Sequence, residues 1–403
     1  MGTHIPSIED TKELLKKNQI GIIGVGETEQ GKIPGKSSFH FLSEASKLAI
    51  EDAGIQKSDV DGVITAFSLV EETFMHCTTF ADYIGINPKY FESVAIGGAT
   101  AVWMTAAAAM AINSGQAEVV LCVRGDNTLS GISSTGMIAL IREMCHGEFE
   151  FPFGLTTPGG YALMANRYLH ETNGKREHLH SVAVTMREHA KLKENAMMKD
   201  DLTLDDIMAT RLLASPLTKF DCSIVSDGGA AFIVTTSAKA KELGLKRDPI
   251  YLHGMGQGFS HQYLTSCENL DQIYGAVEKS GKKAFETAGM TNDNVDITFL
   301  YDCFTITTLL ELEGLGIVPR GQAGAYALEG RLHKDADTPI NTHGGLLSQA
   351  HLGAMHHVIE ALLQLRGEAG QRQVKNPNVA LVHGNGGIVS AHSTIILGNE
   401  PVS

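Results

Sequence analysis

Residues 49–63 read AIEDAGIQKSDVDGV, and residues 284–298 read AFETAGMTNDNVDIT. Ala49, Glu51, Ala53, Gly54, Val60 and Asp61 coincide with Ala284, Glu286, Ala288, Gly289, Val295 and Asp296 without a gap. Each stretch reads as the end of an amphipathic helix, a glycine stop, a polar turn and the start of a strand. The pattern then repeats further. GGATAVWMTAAAAMAI (97–112) and HLGAMHHVIEALLQLRG (351–367) each open a long helix from a glycine-containing turn. EVVLCV (118–123) and NVALVHG (378–384) follow them as apolar strands. Apolar β-branched runs alternating with helices predict α/β architecture with buried strands. An offset of about half the 403-residue chain predicts two similar halves packed together.

Residues 126–221 interrupt the first half and are richer in His, Met, Lys and Arg. They read as an inserted loop domain: a substrate cover, or helical padding at a dimer interface. Strand character resumes in FDCSIVSDGGAAFIVTTS (220–237). The expected division is an extension at 1–17, a first half at 18–125 plus 222–249, the loop domain at 126–221, and a second half at 250–403.

The bulk numbers narrow the function classes. A net charge of −14 argues against a general nucleic-acid binder. Cysteines at 77, 122, 145, 222, 267 and 303 form no CxxC pair, so neither zinc nor a disulfide framework is indicated. Reduced thiols in a cytoplasm are the simple expectation. The first residues, MGTHIPSIEDTKELLKKNQ, show no leader pattern and no myristoylation pattern. No stretch approaches about 18 uninterrupted apolar residues, so no membrane span is expected. His356 and His357 are adjacent and face about 100° apart on a helix, so they do not readily share a metal. His76, His146, His178, His180 and His189 show no ligand spacing, and no metal is expected.

The duplicated halves, the insertion and an ordered set of motifs resemble the thiolase superfamily over about residues 18–399. The motifs are SDGGAAF (226–232), YDCFT (301–305), NTHGGLLSQAH (341–351) and HGNGG (383–387). The closest resemblance is to the sterol-carrier-type and thiolase-like branch. It implies a layered α-β-α-β-α fold, coenzyme A thioester substrates and a homodimer. It also implies a small partner subunit, an OB-fold joined to a zinc ribbon.

Each catalytic signature of that family departs here. The Cys-x-Ser turn that supplies the nucleophile falls on Gly98-Ala99-Thr100. His-Asp-Cys-Phe becomes Tyr301-Asp302-Cys303-Phe304, Gly-His-Pro becomes Ala350-His351-Leu352, and Cys-x-Gly becomes His383-Gly384-Asn385. A thiolase needs a cysteine thiolate to form its acyl-enzyme, and Gly98 has none. Thr100 would need a nearby base and points elsewhere on the helix. What remains suits enolate chemistry. The Gly98 backbone at a helix start, with Asn385 and Gly386 of the second glycine turn, is expected to stabilise an oxyanion. Tyr301 and His351 are the expected proton-handling pair, with His383 as a further shuttle or a structural hydrogen bond. Asp302 is expected to cap the following helix, and Cys303 to be an inert buried thiol. Arg167, Arg176 and Arg187, with Lys175 and Lys191, are candidates for the CoA phosphates or for a solvated face. Relatives without the cysteine include aldolases of steroid side-chain degradation, which implies retro-aldol cleavage of a 3-hydroxyacyl-CoA. Two other readings stay open: a thiolase or acyltransferase with a displaced nucleophile, Cys303 the first suspect, and a non-catalytic acyl-CoA or lipid-binding scaffold.

Overall fold

In both repeated stretches a helix ends on a glycine with left-handed backbone. Gly54 has φ 71° and Gly289 φ 67°, and each donates its N–H back into the last turn, as glycine does without a Cβ penalty. The aspartate that follows then anchors the start of the strand that comes after the central helix of its half. Asp61 Oδ1 accepts from the N–H groups of Glu118 and Val119, and Asp296 Oδ2 accepts from those of Asn378 and Val379. The coincident residues are therefore the same structural device used twice.

The computed structural model describes residues 8–71 and 73–403. Its strands are β1 (Ile20–Glu27), β2 (Gly62–Ala66), β3 (Tyr90–Val94), β4 (Val119–Asn127), β5 (Leu212–Ala214), β6 (Leu217–Thr218), β7 (Asp227–Thr236), β8 (Ile250–Phe259), β9 (Ile297–Phe299), β10 (Val379–Gly386) and β11 (Ala391–Gly398). Nine of them hydrogen-bond in the order β3-β2-β4-β7-β1-β8-β11-β10-β9. Outward from the centre, β1-β7-β4-β2 and β8-β11-β10-β9 follow the same sequence of two antiparallel pairings and then a parallel one. β1 and β8 join through only two residue pairs, so the halves behave as two sheets sharing a short seam.

The Thr100–Asn113 helix is apolar on every side and packs against strands of both halves, as does the Met355–Leu365 helix. A helix without a polar face has to be buried all round. The Ser38–Ala53 and Leu270–Ala288 helices cover the outer faces. The result is the α-β-α-β-α layering expected from the sequence, with the two central helices packed against each other.

Three details differ from expectation. The 126 boundary falls inside β4, which runs to Asn127, and the returning strand begins only at Asp227. Between them the insertion is mostly helical, including Ser134–Met144, Thr157–Glu171 and Arg176–Ala190. The 1–17 extension includes a docked helix, Ile8–Asn18, whose Leu15 is fully buried, while residues 1–7 lie outside the described residues. Among the described residues no helix is long and apolar enough to cross a membrane.

Candidate active site

The two glycine turns touch. Gly97 has φ 53°, and a Cβ there would lie 2.8 Å from Gly386 Cα. A Cβ on Gly386 would meet Ile96 O at 2.2 Å. Thr100 closes the first turn: its hydroxyl donates to Gly97 O (2.7 Å) and accepts from Ile96 N (2.9 Å). That hydroxyl is spent on the backbone and is no nucleophile.

The missing thiol has not left open space. A Cβ at Gly98 would stand 2.0 Å from Tyr301 Cζ, 2.3 Å from its Oη and 2.4 Å from Asn385 O. The Tyr301 ring fills the place of a side chain at 98. Its Oη is 3.1 Å from His351 Nε2. Gly98, Tyr301, His351 and Asn385 therefore converge, although they come from four segments.

His351 is not the start of a helix, as the pattern suggested; the helix begins at Met355. Counted back from the first helical residue, the counterpart of Gly98 is Gly353. His351 instead sits in the preceding loop, where its N–H donates to Ser226 Oγ at 2.9 Å.

Buried side chains clamp the Tyr301 segment. Asn341 brackets Leu300, accepting from its N–H and donating to its carbonyl, both at 2.8 Å. Glu311 Oε2 accepts from Tyr301 N at 2.8 Å, and its other oxygen meets Asn385 Nδ2. Asp302 does not cap the helix after it. Its carboxylate accepts from Leu346 N (2.9 Å) and Leu347 N (3.3 Å), and Phe304 takes the cap position. Fixed donors and acceptors of this kind hold a site in place before substrate arrives.

Electrostatics keep the pair neutral. Burial pushes the Tyr301 phenol well up, Cys303 adds to this, and Arg124 opposes it. Burial, with Arg124 next, lowers His351 to about 3. His351 is thus a neutral imidazole throughout the range in which an ordinary histidine titrates. A charge-neutral relay should leave kcat/KM flat between pH 5 and 9. The acid limb should come only as pH falls toward His351's own low value. A limb near pH 6.5 in a steady-state profile would show that His351 is not held this way.

Glu311 is fully buried, and burial raises its carboxyl well above the usual range, with Asp302 adding to the rise. Asn385 Oδ1 lacks a partner among the described residues. A neutral Glu311 still has acceptor capacity on both oxygens for Tyr301 N and Asn385 Nδ2. A carboxyl raised in the folded state stabilises fully below its unfolded value and loses that contribution as pH rises through the folded one. Glu311→Gln should therefore flatten the fall in melting temperature above pH 5 and match or exceed the native protein at pH 8. Glu311→Ala should cost about 1–3 kcal/mol by orphaning buried donors. A Gln variant less stable than the parent at pH 8 would contradict a neutral Glu311.

The other candidates are dispersed. His383 is fully buried and bonds to Thr394 (2.8 Å) and His392 (3.1 Å), away from Tyr301 and His351. Arg167 is exposed and pairs with Glu171. Arg187 is buried against Ser348 and the Asp200 carbonyl, both at 3.1 Å. Arg176, eleven residues earlier on the same helix, is about 16 Å away by helical rise, so the three do not form one patch. Cys303 is buried, its thiol is pushed up by burial, and it donates to Tyr161 Oη at 3.4 Å. The insertion reaches the site through Tyr161, which stacks on Phe304 at 4.0 Å and donates to Gly387 O at 2.8 Å. Among the described residues no cluster could hold a metal ion. Glu311, Asn341, Ser226 and Arg124 escaped the sequence reading. Glu311 and Arg124 did leave a signal, a charge inside an otherwise apolar helix or strand.

This geometry was compared with known proteins. The thiolase C-terminal domain-like family profile matches residues 256–399. A steroid side-chain-cleaving aldolase of Thermomonospora curvata is 34% identical over 376 residues, covering 91% of this chain and 95% of the relative. The chain belongs to the thiolase superfamily. Within it, this thiolase-like enzyme is also 30% identical to an acetyl-CoA acetyltransferase of Methanothermobacter thermautotrophicus, over 93% of this chain and 98% of the relative. The solved Ltp2-ChsH2(DUF35) aldolase superimposes with a TM-score of 0.83 at 34% identity, covering 94% of this chain and 98% of that one. The family thus includes carbon–carbon lyases and acyl transferases, and this thiolase-superfamily enzyme groups with its aldolase-like members.

Proposed function

We propose that the protein is a lyase that cleaves a 3-hydroxyacyl-CoA by a retro-aldol reaction, without an acyl-enzyme. The observation that carries this reading is the Tyr301 ring, seated where a nucleophile at 98 would stand and joined to His351. The substrate hydroxyl gives its proton to the Tyr301–His351 pair. The C2–C3 bond breaks, C3 becomes a carbonyl, and the electron pair passes into the thioester as an enolate. The pair then returns one proton to C2. No net proton, oxidant or reductant is consumed, so a neutral pair that borrows and returns one proton suffices. Gly98, Asn385 and Gly386 line the same junction and serve the oxyanion.

The aldolase relative and the lack of a thiol at 98 support this reading over a thiolase. Cys303 is buried, protonated and hydrogen-bonded to Tyr161, a poor setting for a displaced nucleophile. Arg176, with Nε and Nη2 unpartnered among the described residues, suits the CoA phosphates better than the engaged Arg167 and Arg187. The name of the solved aldolase, with its ChsH2(DUF35) component, supports a small partner subunit. β3 is an outer strand with Phe91 exposed, which supports pairing with a second copy. Unpaired thiols support a cytoplasmic location.

The test is a panel of 3-hydroxyacyl-CoA and 3-ketoacyl-CoA esters, incubated with and without free CoA and followed by mass spectrometry. The lyase yields a shortened acyl-CoA and a carbonyl product with no CoA consumed. CoA-dependent cleavage of a 3-keto ester, or an acyl adduct on the protein, would replace it with thiolase chemistry.

A further inference from the structure

Arg124 is the unexplained charge of this site. It lies on β4 paired with Ala230 and is only 6% exposed. No ion pair to it is found among the described residues, and its Nε has no hydrogen-bond partner there. The nearest acidic residue along the strand, Asp126, feels the Arg124 charge but makes no ion pair with it among the described residues. It accepts from Ser68 Oγ (2.9 Å), Leu69 N (2.7 Å) and Asn127 N (3.0 Å). The Phe67 ring lies 5.7 Å from the guanidinium carbon, a contact that suits a cation but satisfies no donor.

A buried guanidinium is costly unless something negative offsets it. Its place shows where that negative charge belongs. The side chain runs up to Gly353, where a Cβ would lie 2.5 Å from Nη1. Gly353 is two residues beyond His351, and Arg124 bears electrostatically on both His351 and Tyr301. The other titratable groups facing Tyr301 are Asp302, Cys303, Glu311, Tyr161 and His357. Asp302 is committed to Leu346 and Leu347, and Glu311 to Tyr301 N and Asn385. None of these groups pairs with Arg124.

We propose that Arg124 is the fixed cation of the site, without an ion-pair partner among the described residues, and that it binds the oxyanion formed beside Tyr301 and His351 during C–C cleavage. The inference rests on the lyase reading for the identity of that oxyanion, the thioester enolate. Its positive charge costs nothing to reorient at the moment of reaction, because the guanidinium is already desolvated and held. It also keeps His351 unprotonated, so the borrowed proton is returned rather than retained.

The test uses the full chain and two CoA ligands that cannot turn over. One is S-ethyl-CoA, which is neutral at the reacting end. The other is a CoA thioether carrying a nitronate in place of the enolate. The native protein should prefer the nitronate, and Arg124→Met should lose about 10- to 100-fold of nitronate affinity, the range of a charge-assisted bond. Its S-ethyl-CoA affinity should stay within about threefold of native, against that charge-assisted range. With a cleavable ester, kcat should fall about 100-fold with KM little changed, and Arg124→Lys should restore part of both losses. Unchanged nitronate binding in Arg124→Met overturns the proposal. So does equal weakening of both ligands, which marks a structural role. If the Met variant does not fold, Arg124→Gln takes its place, with loss of nitronate preference alone supporting the proposal and unchanged nitronate binding overturning it. If no hydroxy ester is cleaved, the lyase reading fails while the ligand pair still tests Arg124.

Discussion

Tyr301→Phe should reduce cleavage of a 3-hydroxyacyl-CoA by about 100- to 10,000-fold, the usual contribution of a positioned proton-transfer group. The ring matters for packing and the hydroxyl for chemistry, and this substitution separates them. Phenylalanine keeps the aromatic volume against Gly98, so the packing around the two glycine turns is unchanged. Only Oη is lost, with its 3.1 Å hydrogen bond to His351 Nε2. The stability cost should be about 1 kcal/mol, the net value of one hydrogen bond. Binding of a CoA thioether, measured by calorimetry, should hardly change, because nothing that reaches the CoA portion has moved. A rate loss confined to kcat is the mark of an interaction made in the transition state. A variant retaining more than about a tenth of native kcat would remove Tyr301 from the proton path, given that minimum contribution. His351→Gln should then be examined alone, since neutral His351 would be the remaining base.

The architecture was legible because the duplication writes the same devices twice. The helix stop at Gly54 and Gly289, and the strand anchor at Asp61 and Asp296, are residue-specific solutions that survive as identities. Gly98 and Tyr301 were legible as departures from a family pattern, but their contact was not. It depends on the junction of two halves about 200 residues apart in sequence, and no local periodicity encodes that distance. His351 was found through its motif yet assigned to a helix, because a glycine-containing turn and a helix start look alike in sequence. Asp302 showed the same weakness: a strand-to-helix aspartate reads as a cap, whereas this one serves the distant 346–347 turn. Glu311 and Arg124 were visible only as charges in apolar runs. A sequence shows that such a charge must be satisfied, but not by which group.

Restoring a cysteine should not restore a thiolase. Gly98→Cys places a Cβ 2.0 Å from Tyr301 Cζ and 2.4 Å from the Asn385 carbonyl oxygen. Both are below any real contact distance, so the ring or the strand must move. The cost expected for overpacking of this kind is about 1–3 kcal/mol, visible as a lowered melting temperature. Lyase activity should fall by at least about 100-fold, because a displacement of about 1 Å is enough to do so. Incubation with a 3-ketoacyl-CoA should give no acyl adduct by mass spectrometry, since the displaced ring occupies the approach to the new thiol. A folded Gly98→Cys protein that cleaves hydroxy esters at the native rate would mean that the ring does not work from the position described. The double variant Gly98→Cys with Tyr301→His separates the two obstacles. It removes the phenol and brings in the smaller family residue, but the Asn385 carbonyl belongs to the backbone of β10 and cannot rotate aside. The double variant should therefore regain stability relative to the single one and still fail to acylate. Gly98 is thus held by two neighbours, one exchangeable and one not. The loss of the nucleophile is built into the backbone of the opposite half and is not a single reversible substitution.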